Sequence, residues 1–229
     1  MTPSRSFPRA PALAALSLCA GPAFAAGGHH AVDDAAILEP GQCEVETWVS
    51  RASGNQRNLV AGVNCRVGAV ELSAATDHAR SPGASDTAWG LQAKWATSIA
   101  PGLSIGVAAA PAWQAHARPR YQGLALTGLA TWALTEQWAL HANLGRDFVH
   151  QGPDATRWGA AAEWTSAGGW SLVAERYRAD ASQFARAGVR WALTDHWSMD
   201  VSRAHRLAGP APSTWTLGAS WVFDRRERR

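Results

Sequence analysis

Several stretches hold residue types able to do chemistry. "HHAVDD", residues 29–34, sets His29, His30, Asp33 and Asp34 in one short run, and all four are metal-ligand types. Ligands strung along so flexible a stretch do not make a preformed site, so it reads as an exposed polar segment, with no metal and no cofactor expected. "HANLGRD", residues 141–147, offers a histidine for acid–base work. Its His141 and Asn143 alternate with Leu140, Ala142 and Leu144, which is the period of a strand with one polar face. His205 and Ser213 supply the base and nucleophile types of an outer-membrane lipid hydrolase. No acidic or amide residue is evident to orient that histidine, and no enzyme is expected. Cys43 and Cys65 form an even pair. If Ala52 and Gln56 close a first hairpin, Val45 falls opposite Val63 and Cys43 opposite Cys65, which predicts a cross-strand disulfide.

The element that positions these residues is a repeated strand. "WGLQAKW" (89–95), "WGAAAEW" (158–164) and "WTLGASW" (215–221) each set two tryptophans six positions apart. On a helix six residues turn the chain through about 600° and scatter the rings, whereas on a strand an even spacing keeps them on one face. From Gln42 onward twelve such segments alternate apolar with small or polar residues, separated by Gly, Pro, Asp, Asn and Ser. They fall at roughly 42–52, 57–66, 69–78, 87–97, 103–114, 120–134, 138–148, 156–165, 170–178, 183–193, 197–206 and 213–223.

The start of the chain sets the compartment. Arg5 and Arg9, an apolar run from Ala12 to Ala20 and the small-x-small end Ala23-Phe24-Ala25 read as a secretory signal peptide over 1–25. A lipoprotein signal at Cys19 would need a small residue where Leu18 stands, and the apolar run is too short to span a membrane as a helix. Without the leader the formal charge of +3 falls to about +1, and no concentrated basic face points to nucleic acid.

No later run approaches the roughly eighteen apolar residues of a membrane helix. Yet 13 tryptophans beside 5 phenylalanines and 2 tyrosines is an excess of the side chain that settles at membrane interfaces. A membrane protein without membrane helices must satisfy its backbone in a closed barrel. The expected fold is therefore all-β, a transmembrane antiparallel β-barrel of about 12 strands over residues 42–223. A segment at 26–41, periplasmic or inserted as a plug, precedes it, and a charged tail at 224–229 follows.

The joins "VGA", "SIAPG", "TEQ", "SAGG" and "TDH" are tight, while "DHARSPGASD", "FVHQGPDATR" and "RLAGPAPS" are longer, which matches short periplasmic turns and longer outer loops. "TWALTEQWALH" and "RWALTDHWSMD" are nearly the same hairpin, an internal repeat. Trp95, Trp132, Trp138, Trp164, Trp170, Trp191, Trp197 and Trp221 flank the short turns as one aromatic girdle. Trp89, Trp113, Trp158 and Trp215 form a second toward the longer loops. The same parity turns Glu46, Arg66, Lys94, His141, Glu163, Arg190 and Asp200 inward as candidate lumen and selectivity residues, with Glu71, Asn143, Glu175 and Arg186 among their neighbours. Both signs are represented, so no strong ion selectivity is expected, and Arg190 and Asp200 are candidates to pair.

"HHAVDDAAILEPGQCEVETW" resembles the start of a family of bacterial outer-membrane proteins, often labelled transporters, associated by name with the meta-cleavage pathway of phenol degradation. The likeness lies in a histidine, the pair Asp33-Asp34, Gly41 before the first strand and Glu44 and Glu46 within it. The resemblance implies an outer-membrane channel, with small hydrophobic or aromatic compounds among its solutes. The last strand, ending in Phe223, also resembles the C-terminal signal read by the barrel-assembly machinery. The expected partners are that machinery during biogenesis, outer-membrane lipid and lipopolysaccharide, and a small-molecule solute. The runner-up is a closed structural or lipid-binding barrel, with a lipid hydrolase third.

Overall fold

The computed structural model describes residues 29–225, so the expected signal peptide and the last four residues of the tail lie outside the described residues. Twelve strands follow one another along the chain: β1 (Gln42–Ala52), β2 (Arg57–Val67), β3 (Val70–Ser81), β4 (Ala84–Ala100), β5 (Leu103–Gln114), β6 (Tyr121–Ala133), β7 (Trp138–Val149), β8 (Ala155–Thr165), β9 (Trp170–Ala179), β10 (Ser182–Ala192), β11 (Trp197–Ala208) and β12 (Thr214–Asp224). Each pairs antiparallel with its sequence neighbours, and β1 pairs with β12 from Gln42↔Asp224 to Ala52↔Thr214, which closes the barrel and leaves no edge.

The side-chain period of two makes this wall inside-out relative to a soluble domain. Val49, Leu59, Leu91, Leu144, Leu172 and Leu217 are all at least half exposed or close to it on the outer face, Leu144 at 68 %. Charged and hydroxyl groups such as Glu71, Lys94, Glu163, Asp200 and Ser202 are buried. The tryptophans beside the short turns meet across strands, with Trp138 opposite Trp164, Trp170 opposite Trp191 and Trp197 opposite Trp221. The last two pairs stack with ring centroids 5.0 Å and 5.7 Å apart.

The repeated hairpin has a common physical cause. Thr135 Oγ1 accepts the N–H groups of Gln137 and Trp138 at 3.2 Å and 3.0 Å, and Thr194 Oγ1 accepts those of His196 and Trp197 at the same two distances. Ser166 Oγ plays this part for Trp170 at 3.1 Å in the looser copy.

One expected loop is corrected. "DHARSPGASD" is not irregular: β3 and β4 stay paired up to Ser81↔Ala84, and only Pro82 and Gly83 make the turn. Proline fixes φ at the first corner position and Gly83, at φ +77°, supplies the positive φ of the second. Cys43 and Cys65 stand opposite each other with Cα atoms 4.1 Å apart and form a disulfide.

Candidate functional site

The lumen is not lined by strands alone. Residues 29–38, which precede β1, cross the inside of the barrel and bond to wall strands on opposite sides. The exposed reading of "HHAVDD" is thereby corrected: His29 and Asp34 are buried at 8 % and 3 % exposure and Val32 at 0 %. Two small apolar pockets inside the wall explain why a polar run sits there. Val32 packs with Ala161, Val173, Tyr177, Phe184 and Ala204, and Ala35 packs with Ala108 and Leu129.

At its first end the segment meets β9, β10 and β11. Val32 N–H donates to Glu175 Oε1 at 3.0 Å, and Glu175 also faces His30 Nδ1 and Arg186 Nη1, each at 3.5 Å. Arg186 donates to the His29 carbonyl and to Tyr177 Oη, the latter at 3.0 Å. His29 contacts Asp200 through Nδ1, and its Nε2 lies 2.5 Å from Ser202 Oγ. Glycines make room on the wall. A Cβ on Gly159 would meet Val32 Cγ2 at 2.5 Å, and one on Gly188 would meet His30 Cε1 at 3.2 Å.

At its second end the segment meets β2, β3, β4, β6 and β7. Lys94 Nζ is shared by Asp33 and Asp34 at 2.9 Å and 3.1 Å. Glu71, the register partner of both Arg66 and Lys94, accepts Leu38 N–H at 2.9 Å, and Arg66 donates to the Leu38 carbonyl at 2.9 Å. Thr131 Oγ1 accepts Ala35 N–H at 2.8 Å and bonds His141 Nδ1 at 2.9 Å, while His141 Nε2 faces Glu163 at 3.4 Å. The Asn143 amide exchanges two 2.8 Å bonds with the backbone N–H and C=O of Asp33.

Of the seven candidate lumen residues, all face inward. Lys94 and Arg66 bond the crossing segment from one side, and Asp200 contacts it from the other. His141 and Glu163 stand one step behind it, next to Thr131. Glu46 takes an amide hydrogen bond from Asn64 at 2.9 Å and lines the space beside the segment. Arg190 stands opposite Asp200 in register. What sequence reasoning missed is the set around them: Thr131, Tyr177, Ser202 and Gly159 are inward by the same parity, but nothing in their types marks them until the segment is in view. Trp48, which belongs to neither girdle, points into the lumen as well. Ser213 Oγ accepts the Arg206 N–H at 2.9 Å, and His205 is exposed on the outer face.

Beside the segment a cavity of about 750 Å³ persists. Its lining runs from Thr194 and Asp195 at the β10–β11 turn to Arg157 and Ala179 near the opposite end, past Glu44, Glu46, Glu71 and Arg190. The cavity is thus charged with both signs and bounded on one side by the chain's own N-terminal residues.

Residues 14–223 match the family described as uncharacterised conserved protein UCP029691. No curated protein is recognisably similar. Among solved structures, the KdgM porin in complex with disordered oligogalacturonate is similar at 10 % identity with a TM-score of 0.63, over 79 % of this chain and 99 % of that one. The NanC porin is similar at 8 % identity and 0.59, over 78 % and 98 %. An outer membrane channel from Pseudomonas putida F1 is similar at 11 % and 0.57, over 83 % and 98 %. At such identities the likeness is one of fold. It carries the porin-like barrel and gives no support to the phenol-pathway link that the N-terminal stretch implied.

Proposed function

We propose, starting from a chain that belongs to the UCP029691 family and folds like solved porins, that the protein is an outer-membrane channel for small polar solutes, restricted by its own N-terminal segment. The observation that carries this reading is the crossing segment with a charged cavity of about 750 Å³ left beside it, a volume in the range of ligand-sized sites. A lining with Glu44, Glu46, Glu71, Arg157 and Arg190 favours polar solutes over the aromatic compounds implied by the N-terminal resemblance. Selectivity in such a passage comes from the charges and the width of its lining, and no catalytic step is involved.

The outward face supports a membrane location. Apolar residues cover it between two rows of tryptophan. Toward the longer loops Arg203 lies over the Trp215 ring at 5.0 Å. Trp215 faces Arg51 in register, Arg51 faces Arg57 and Arg57 faces Arg80. Such a run of exposed guanidiniums suits the phosphates of lipopolysaccharide around the outer rim. Insertion by the barrel-assembly machinery belongs to the same reading.

Deletion of residues 26–40 tests the function directly. Liposome swelling with small sugars and amino acids, and single-channel currents in planar bilayers, should both rise several-fold over the intact chain. If neither form passes solute or current, the barrel is a closed structural or lipid-binding one.

A further inference from the structure

We infer that His29, His30 and Asp200 form a binding site for one zinc-class divalent metal ion, joining the N-terminal segment to β11. One ligand-type atom from each of the three lies within 4.8 Å of the others. Their side chains are 2 %, 1 % and 2 % exposed. Buried His29 Nδ1 contacts Asp200 Oδ1 and buried His30 Nδ1 lies 3.5 Å from Glu175 Oε1, yet none of the three ligand atoms completes a hydrogen bond of good geometry among the described residues. Three such atoms aimed at one place are a costly arrangement unless a cation or a proton lies among them.

The surroundings favour a metal ion. His29 is held at its other nitrogen, Nε2, by Ser202 Oγ at 2.5 Å, which is how a metal-bound imidazole is usually oriented. In the tautomer that donates Nε2–H to Ser202, Nδ1 presents a lone pair on the Asp200 side, the arrangement a metal-bound imidazole takes. Glu175 Oε1, 3.5 Å from His30 Nδ1, puts a fourth ligand atom, the second oxygen, at the edge. Two imidazole nitrogens with one or two carboxylate oxygens suit zinc, cobalt or nickel rather than calcium or magnesium. Arg186, which bonds the His29 carbonyl and faces Glu175, adds a nearby positive charge that limits the affinity without occupying the site.

The consequence is mechanical. Both histidines belong to the crossing segment and Asp200 belongs to the wall, so a bound ion stabilises the docked segment by mass action. This site stands whether or not the barrel conducts, because its measurement is binding.

The test uses the mature protein in detergent, purified without a polyhistidine tag, stripped with a chelator and titrated with zinc alone against a chromophoric competitor. One equivalent should bind. Ser202→Ala, which leaves every ligand in place, should weaken binding by about 10- to 100-fold, and His30→Ala should abolish it. Cobalt in the intact protein should give visible d–d bands of a site with mixed nitrogen and oxygen ligands, a readout that needs no variant to fold. No zinc bound by the intact chain, equal binding by His30→Ala, or no cobalt bands would overturn the site, and the histidine–carboxylate contacts would then be proton-bridged pairs only.

Discussion

The two ends of the crossing segment are held by opposite chemistry. At His29–Val32 the wall supplies carboxylates, Asp200 and Glu175, and the segment supplies imidazoles and backbone N–H groups. At Asp33 and Asp34 the segment supplies the carboxylates and the wall supplies the cation, Lys94, while farther on the wall's Arg66 and Glu71 hold the Leu38 backbone. The second end, one lysine shared by two aspartates, is a fixed anchor. The first end is convertible, because an imidazole can exchange its partner for a proton or a metal ion. A segment held this way can be loosened at one end while it stays tethered at the other.

The largest effect should come from the fixed end. Lys94→Met removes the cation that both Asp33 and Asp34 share, in a place where Lys94 and Asp34 side chains are 5 % and 4 % exposed. Removing one partner of a buried pair costs about 3–5 kcal/mol, enough to undock a short segment. Single-channel conductance should approach that of the deletion of residues 26–40, and an added protease should cut the segment. Wild-type conductance in Lys94→Met would mean that the first end holds the segment alone.

A smaller effect should follow from crowding the first end without touching any charge. Gly159→Val places a Cβ where Val32 Cγ2 lies 2.5 Å away and Tyr177 Cβ 3.1 Å away. Overpacking of this kind costs about 1–3 kcal/mol. The channel should flicker between two conductance levels as the Val32 end detaches while Lys94 retains the Asp33 end. A steady fully open level would show that the two ends release together, which would dissolve the distinction between them.

The wall could be read from the sequence because its information is local and periodic. "WGAAAEW" and "WTLGASW" carry their own facing rule, and Thr135 and Thr194 mark their turns by residue type. Above the tryptophan rows that rule fails. Arg80, Ser81, Ser85 and Asp86 have no lipid to face on one side, so β3 and β4 continue there without alternation and the stretch reads as a loop. The crossing segment has no period at all. Its partners lie far off in sequence: Lys94 is 61 residues from Asp33, Glu175 is 143 from Val32 and Ser202 is 173 from His29. Four hydrophilic residues in "HHAVDD" therefore read as solvent-exposed, although each polar group has a counterpart waiting on the wall.

The smallest effect on the segment should come from the disulfide, which makes it a control for the other two. Cys43 and Cys65 lie on the outward parity of β1 and β2, in line with Val45 and Val63, and touch nothing in the lumen cavity. Their link spans 22 residues, for which the chain-entropy account gives about 3 kcal/mol of stabilisation. The register it fixes is also fixed by eight further pairs, from Glu44↔Asn64 to Arg51↔Arg57. Cys43→Ser with Cys65→Ser should therefore lower the urea concentration at which the barrel unfolds and leave conductance, protease resistance of the segment and its response to Lys94→Met unchanged. A change in conductance would mean that strain in β1 reaches the segment through Gly41 and Gln42, where the segment joins the wall, and the two ends would then have to be treated together with a third attachment at that junction.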